Sequence, residues 1–198
     1  MPAPDSRYRA AIERFDAANA RDPNVTIVDG APQPKELVYA RRMTAWLDRL
    51  APDAPEPVRL AARCQHLMRW SIPRESYPMD RPGYLKWRTT LYDFHADRAA
   101  EILREVGYDD ATIARVRSLV RKEKLKADPD TQLLEDVICL VFLEHYFAEF
   151  VEEHAADEEK LVRILRRTWA KMSPRGHEAA MRLELPERER KLIERALS

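Results

Sequence analysis

The chain has 198 residues, of which 45% are hydrophobic, so it has enough apolar material to bury one sizeable core. Its 34 lysines and arginines balance its 34 aspartates and glutamates, so no global basic excess draws it to nucleic acid, which is not an expected partner. Its apolar runs are far shorter than the roughly 20 residues of a membrane span. Cys64 and Cys139 lack metal-knuckle spacing and disulfide density. We therefore expect reduced cysteines and a cytoplasmic protein.

The hydrophobic period is helical almost throughout, and four glycines leave little room for hairpin turns. A proline-rich segment at residues 71–82 cannot be regular helix. These patterns predict an all-α fold without a sheet. Helix start and stop signals place the helices, in chain order, at about 7–19, 34–50, 56–70, 83–106, 110–124, 131–151, 158–172, 174–182 and 186–197.

No repeat or low-complexity linker divides the sequence, so we predict a single-domain irregular helical bundle over residues 1–198. Its core would cover about 34–155, with the helices of 158–197 packed on it. The predicted helix at 131–151 is apolar on nearly every side, which indicates the central buried helix. Its predicted core residues are Val137, Leu140, Val141 and Phe147.

Three ionisable residues, His66, His95 and Asp136, lie on three different predicted helices. Asp136 shares its helix face with aliphatic residues, where a bare carboxylate is costly unless its charge is compensated. Two imidazoles with a cation between them would compensate it. The sequence therefore indicates a polar site inside a helical core.

Each histidine has a second interpretation that contains no ligand. Steps of three and four along the fourth predicted helix put Arg88 and His95 on one seam with core aliphatics. Arg88 could equally pair with a carboxylate there, and His95 could be a hydrogen-bonded core histidine. His66 lies on the polar side of its predicted helix, either as a ligand at the edge of a basic groove or as a solvated side chain.

A phosphorylated ligand would need an arginine-rich wall, because guanidinium groups bind phosphate oxygens bidentately. Arg69, Arg74, Lys86 and Arg88 surround the two histidines in sequence and are the predicted phosphate-binding residues. Aromatic residues among them could stack on a base or a sugar, or could simply pin the proline-rich loop over the core.

Three segments resemble those that carry the metal ligands of HD-domain metal-dependent phosphohydrolases. The string AARCQH, ending at His66, is similar to the segment with that family's His-Asp doublet. The string that begins FHAD at residue 94 is similar to its later histidine helix, and LLED, ending at Asp136, is similar to its last aspartate segment. The resemblance implies an HD-like fold with a metal held by His66, His95 and Asp136. Leu67 stands where the doublet aspartate is expected, so the resemblance implies either a mononuclear site or a site that has lost its metal and keeps only a pocket.

Longer strings resemble another family. Residues 69–80 (RWSIPRESYPMD), 83–88 (GYLKWR) and 134–144 (LEDVICLVFLE) look like the family catalogued as domain of unknown function 4202. This likeness extends over nearly the whole chain. It implies no activity, because the family name records none.

The sequence therefore predicts a metal-dependent hydrolase of a small phosphorylated metabolite or nucleotide, with metal-bound water as the nucleophile. Imidazole and carboxylate ligands would accept manganese, iron or zinc, and the sequence does not distinguish them. The alternative is a non-catalytic helical module that binds RNA or a phosphorylated ligand or partner. The sequence predicts no oligomeric state.

Overall fold

A computed structural model describes residues 4–198, and the side chains of residues 6–198. The regular secondary structure of the described residues is helical apart from one short hairpin, which confirms the all-α prediction. The first elements are α1 (Pro4–Asn19), β1 (Val25–Val28), β2 (Ala31–Pro34), α2 (Lys35–Leu50), α3 (Glu56–Cys64), α4 (Arg81–Glu105) and α5 (Asp110–Val120). After them come α6 (Pro129–His145), α7 (Phe147–Glu153), α8 (Glu158–Trp169), α9 (Pro174–Ala180) and α10 (Glu187–Leu197).

The hairpin corrects the prediction that the chain has no sheet. Strand β1 pairs antiparallel with β2, and Val28 lies opposite Ala31. Asp29 and Gly30 form the turn with φ values of 51° and 78°. An Asp-Gly pair with positive φ at both positions is a strong signal for a two-residue hairpin turn. The Asp-Gly pair lies between the first two predicted helices, in a stretch for which no strand was predicted.

The chain divides into two compact units, and the boundary in the sequence lies between Glu123 and Lys124. In the first unit α3 packs against α1, α2 and α5, and α5 packs against α4. Small residues let neighbouring helices approach α3 closely, and Ala61 and Ala62 in that helix are completely buried. The prediction of one domain over residues 1–198 stays a prediction.

The buried face of α4 differs from the predicted seam. Buried residues recur every fourth position, at Trp87, Leu91, His95, Ala99 and Leu103. The predicted seam joined Arg88 to His95, but Arg88 is only half-buried. Both rows have helical spacing, so the period alone could not choose between them.

The third helix also ends earlier than predicted, and this decides where His66 lies. Helix α3 stops at Cys64 instead of continuing to about residue 70. The chain then turns, with Met68 in the left-handed region at φ 56°, before a short 3-10 turn at Arg69–Ser71. His66 is therefore a turn residue and does not lie on the polar face of a helix.

In the second unit α6 packs against α7 and α9, and α8 packs against α10. Val137, Leu140, Val141 and Phe147 are all buried, as predicted. The predicted helix of 131–151 is broken at Tyr146, whose φ and ψ of −128° and −13° end α6 before α7 begins. Within residues 4–198 no helix is both long and apolar enough to cross a membrane.

Candidate functional site

The first unit contains a buried group of ionisable side chains, which we call the polar cluster: Glu36, His66 and His95. His95 is 1% exposed and Glu36 is 8% exposed, whereas the His66 side chain is one quarter exposed. The two imidazole ring centres are 5.8 Å apart. Oε2 of Glu36 lies 3.3 Å from Nδ1 of His66. The structure thus brings the two predicted histidines together.

His95 is held in one tautomer by the backbone. Its Nδ1 lies 2.8 Å from the carbonyl oxygen of Leu67. Because a carbonyl can only accept, Nδ1 carries the hydrogen and Nε2 keeps its lone pair. Nε2 is buried and has no hydrogen-bonding partner among residues 6–198. The ring therefore offers an unused basic nitrogen in a fixed orientation.

His66 is oriented by its neighbours on three sides. Its ring stacks on Tyr39 with centres 3.9 Å apart and an interplanar angle of 9°. Nε2 lies 3.4 Å from a guanidinium nitrogen of Arg69. Since arginine only donates, Nε2 is the acceptor, and Nδ1–H points to the Glu36 carboxylate. This arrangement makes His66 a neutral imidazole.

The turn that carries His66 is held by a buried asparagine that the sequence did not single out. Asn19 is completely buried, and its Oδ1 accepts a hydrogen bond from the backbone N–H of Met68 at 3.0 Å. A left-handed conformation is uncommon for methionine and needs such support. This turn conformation places the Leu67 carbonyl oxygen within hydrogen-bonding distance of His95 Nδ1. Asn19 therefore positions both histidines.

Glu36 is the other residue that the sequence analysis missed. Its backbone N–H donates to Oδ2 of Asp22 at 2.9 Å, which fixes the start of α2. Arg69 is the cationic residue that approaches its carboxylate, with Nε 3.8 Å from Oε1. A signal existed, because Glu36 lies three residues before Tyr39 and seven before Met43, a spacing that puts it on the same helix face as these apolar residues.

Burial sets the charge state of the cluster. It raises the pKa of Glu36 to about 7, although the Arg69 guanidinium opposes the rise. It lowers the pKa of His95 to about 3, with His66 adding to the effect. It also holds the pKa of His66 well below its ordinary value, helped by Arg69. At neutral pH both imidazoles are uncharged.

The raised pKa of Glu36 predicts a pH-dependent stability. A carboxyl group with a pKa of 4.5 when unfolded and about 7 when folded stabilises the fold fully below pH 4.5. That contribution is lost as the pH rises through about 7. The quantity to follow is the free energy of unfolding of the wild type minus that of Glu36→Gln. Between pH 4.5 and about 7 this difference should fall by up to about 1.4 kcal/mol per pH unit.

Urea unfolding at a series of pH values, with chelator present, measures this difference. The histidines titrate in both proteins, so to a first approximation their contribution cancels. A difference that stays constant from pH 4.5 to 7.5 would show that Glu36 is charged throughout that range.

Two of the predicted phosphate-binding residues lie against aromatic rings. The Arg69 guanidinium lies 4.7 Å from the centre of the Trp87 ring. Arg88 donates a hydrogen bond to the Tyr92 hydroxyl and lies 5.7 Å from the centre of the Tyr84 ring. Both guanidinium groups lower the pKa of His66, so their positive charge reaches the polar cluster.

The other two predicted phosphate-binding residues, Arg74 and Lys86, have different surroundings. Arg74 donates to the carbonyl oxygens of Tyr77, Pro78 and Asp80 at 3.1, 2.7 and 3.2 Å. These bonds close the proline-rich loop, which is a structural use of the guanidinium. Lys86 is exposed. Phosphate binding by either residue stays a prediction. Lys122, which was not predicted, also lowers the pKa of His66.

Asp136 belongs to the second unit. Its Oδ1 accepts from the Ser173 backbone N–H at 2.7 Å and from Gln132 Nε2 at 3.1 Å, and its Oδ2 accepts from Ser173 Oγ at 2.5 Å. Ser173 is also the N-cap of α9. These bonds satisfy the buried carboxylate without a metal, which gives Asp136 a structural role. That it joins His66 and His95 stays a prediction.

Over the described side chains, residues 6–198, no three histidine, cysteine, aspartate or glutamate residues converge closely enough to form a ready-made metal site. Within the polar cluster two pairs of side chains are already close together, Glu36 with His66 and His66 with His95. A third ligand contact would require a side chain to move.

Comparison with known proteins identifies a family. No curated protein and no solved structure matches the chain. One family does match, over residues 9–193, and its description is "Domain of unknown function (DUF4202)". Since the match extends over nearly the whole sequence and includes Glu36, His66 and His95, the chain belongs to the DUF4202 family.

Proposed function

We propose that the chain is a hydrolase of a small phosphorylated metabolite or nucleotide, and that the reaction takes place at the polar cluster. The observation that carries this proposal is the buried, unpartnered Nε2 of His95 beside His66. An unsatisfied nitrogen in a core is costly, so it is expected to have a functional reason. Perturbed titratable groups gathered beside cations are typical of active sites.

The donor set is compatible with a divalent metal ion. Nitrogen ligands must be neutral imidazoles, and burial keeps both His66 and His95 uncharged. His95 Nε2 is also available in the required tautomer. His66 and His95 would hold the ion, and when bound it would acidify a water molecule and polarise a phosphoryl oxygen.

The remaining roles fall to the residues of the chain itself. Arg69 and Arg88 would bind the phosphate, since their positive charge reaches His66 and guanidinium groups match phosphate geometry. The Leu67 carbonyl would keep the His95 hydrogen on Nδ1 throughout the reaction. We also propose a cytoplasmic location, because both cysteines are free and buried, as in a reducing compartment.

One observation favours a second candidate, the non-catalytic module that binds a phosphorylated ligand or partner. Cations and aromatic rings alternate beside the polar cluster, with Arg88 5.5 Å and Lys122 5.6 Å from the centre of the Tyr92 ring. Cation–aromatic surfaces of this kind bind phosphates and flat rings without catalysis.

A substrate panel distinguishes the two candidates. Phosphomonoesters, cyclic nucleotides and nucleoside di- and triphosphates would be incubated with the chain and added manganese, iron or zinc. Arg88→Lys keeps the charge but loses the planar fork, so kcat/KM should fall by roughly 10- to 100-fold, which is about 1.4–2.8 kcal/mol. Arg98→Lys, on the same helix and paired with Glu101, is the matched control and should be unaffected.

Turnover that is sensitive to Arg88→Lys supports the hydrolase. No turnover, together with anion binding that weakens in Arg88→Lys, overturns the hydrolase and supports the binding module. Neither turnover nor binding across the panel overturns both.

A further inference from the structure

We propose that Glu36, and not Asp136, is the carboxylate that joins His66 and His95 in binding a divalent cation. This inference rests on the proposed function only in assigning a cation to the polar cluster. It adds a ligand that neither the sequence pattern nor the family match assigns. Its test measures metal binding, so it succeeds or fails independently of hydrolysis.

The first argument is distance. Metal–nitrogen and metal–oxygen bonds are about 2.0–2.2 Å long, so two ligand atoms of one ion lie roughly 3 Å apart. Oε2 of Glu36 and Nδ1 of His66 are 3.3 Å apart. The ring centres of His66 and His95 are 5.8 Å apart. An ion bonded to a ring nitrogen lies about 3 Å from the ring centre, so this spacing is compatible with one ion between the two rings once a nitrogen of each faces it.

The second argument is charge. The Glu36 side chain is 10% exposed, and Arg69 lies 3.8 Å from it, which is beyond hydrogen-bonding distance. Asp22, itself 6% exposed, places a second carboxylate beside it, because its Oδ2 accepts a hydrogen bond from the Glu36 backbone N–H at 2.9 Å. Lys35, the other cation that acts on Glu36, is exposed to solvent, so Arg69 is the cation at ion-pair distance, and a divalent cation would compensate this buried carboxylate pair more fully.

The carboxylate of Asp136, in contrast, already has its partners. Three donors already satisfy its carboxylate inside the second unit: two from Ser173 and one from Gln132. A metal would have to replace those bonds and would release the cap of α9. Of the two carboxylates, Glu36 is the one with unused capacity for a cation.

Binding requires Arg69 to move. It approaches both Nε2 of His66 and Oε1 of Glu36, at 3.4 and 3.8 Å. When Arg69 leaves, His66 can transfer its hydrogen from Nδ1 to Nε2, and Nδ1 then becomes a metal ligand next to Glu36. Arg69 therefore occupies the place of the cation while no metal is bound, and it competes with the metal.

The experiment measures the affinity of the chelator-treated full chain for Mn²⁺ and Zn²⁺ by titration calorimetry. Glu36→Gln should weaken binding at least about 100-fold, because a directly bonded ligand is lost. Asp136→Asn, which keeps the shape of the side chain, should stay within about threefold of wild type. Glu36→Asp should be intermediate, because it keeps the charge on a shorter stem.

Arg69→Gln is expected to give a result that a purely structural role for Glu36 would not explain. Removing the competing cation should tighten metal binding about tenfold or more, and it should do so even if Glu36→Gln fails to fold. Wild-type affinity in Glu36→Gln, weaker binding in Arg69→Gln, or loss of binding in Asp136→Asn with Glu36→Gln unaffected would each overturn the inference. So would a wild-type chain that binds neither metal, whatever the substrate panel shows.

Discussion

The His95→Asn protein is expected to fold like the wild type and to lose the proposed hydrolytic activity by about a thousandfold or more. Asparagine places an N–H close to the position of Nδ1, so the bond to the Leu67 carbonyl can persist. It has no atom at Nε2, which is the buried nitrogen without a partner in residues 6–198. Removing a base or a metal ligand typically costs this much.

Two companions make the His95 test specific. His95→Gln carries a polar atom near the Nε2 position and should retain more activity than His95→Asn. His154→Asn is the matched control, because its Nδ1 also meets a backbone carbonyl, that of Phe150 at 3.0 Å. Circular dichroism and kcat/KM would be measured on all three proteins. Wild-type kcat/KM in a well-folded His95→Asn would remove His95 from the reaction.

The Asp136→Ala protein is expected to lose about 3–5 kcal/mol of its free energy of unfolding. The substitution removes a buried carboxylate and leaves the N–H and Oγ of Ser173, and the Gln132 amide, without their acceptor. Buried donors without acceptors are expensive. Urea unfolding, followed by helical circular dichroism, measures the loss. A loss below about 1 kcal/mol would mean that the α9 cap does not depend on this carboxylate.

Gly176 supplies the companion experiment. A Cβ added there would lie 2.7 Å from Oδ1 of Asp136, a side chain that its hydrogen bonds hold in place. Gly176→Ala should therefore destabilise the chain by about 1–3 kcal/mol. In the double variant with Asp136→Ala the contacts with Oδ1 and Cγ disappear and only the 3.2 Å contact with Cβ remains, so the combined loss should be smaller than the sum of the two single losses. Simple additivity would contradict the contact.

The sequence predicted most helix positions, because their start signals are local. Asp80, Asp109, Asp128, Asp157 and Ser173 each accept a backbone N–H at the start of a helix. The ends were less predictable. Nothing between residues 64 and 70 is glycine or proline, so the end of α3 has no local signal. Met68 adopts its left-handed conformation because Asn19, 49 residues away, accepts its N–H.

The candidate site could be predicted only in part. The spacing of chemically unusual residues and the HD resemblance both pointed to His66 and His95, and the structure places their rings side by side. The partnership of Glu36 with His66 depends on the packing of α2 against the turn after α3. A charged residue on an apolar stripe was visible in the sequence, but the partner that it meets was not.

The chain segments that build the polar cluster begin at Asn19 and end at His95, so the cluster exists only when this large part of the first unit is folded. Any molecule that binds there is consequently linked to the folding equilibrium of that part of the chain. By mass action, a ligand at 100 times its dissociation constant adds about 2.7 kcal/mol to the unfolding free energy. A thermal-shift screen of metals and phosphorylated metabolites can therefore identify the natural ligand before any turnover assay exists.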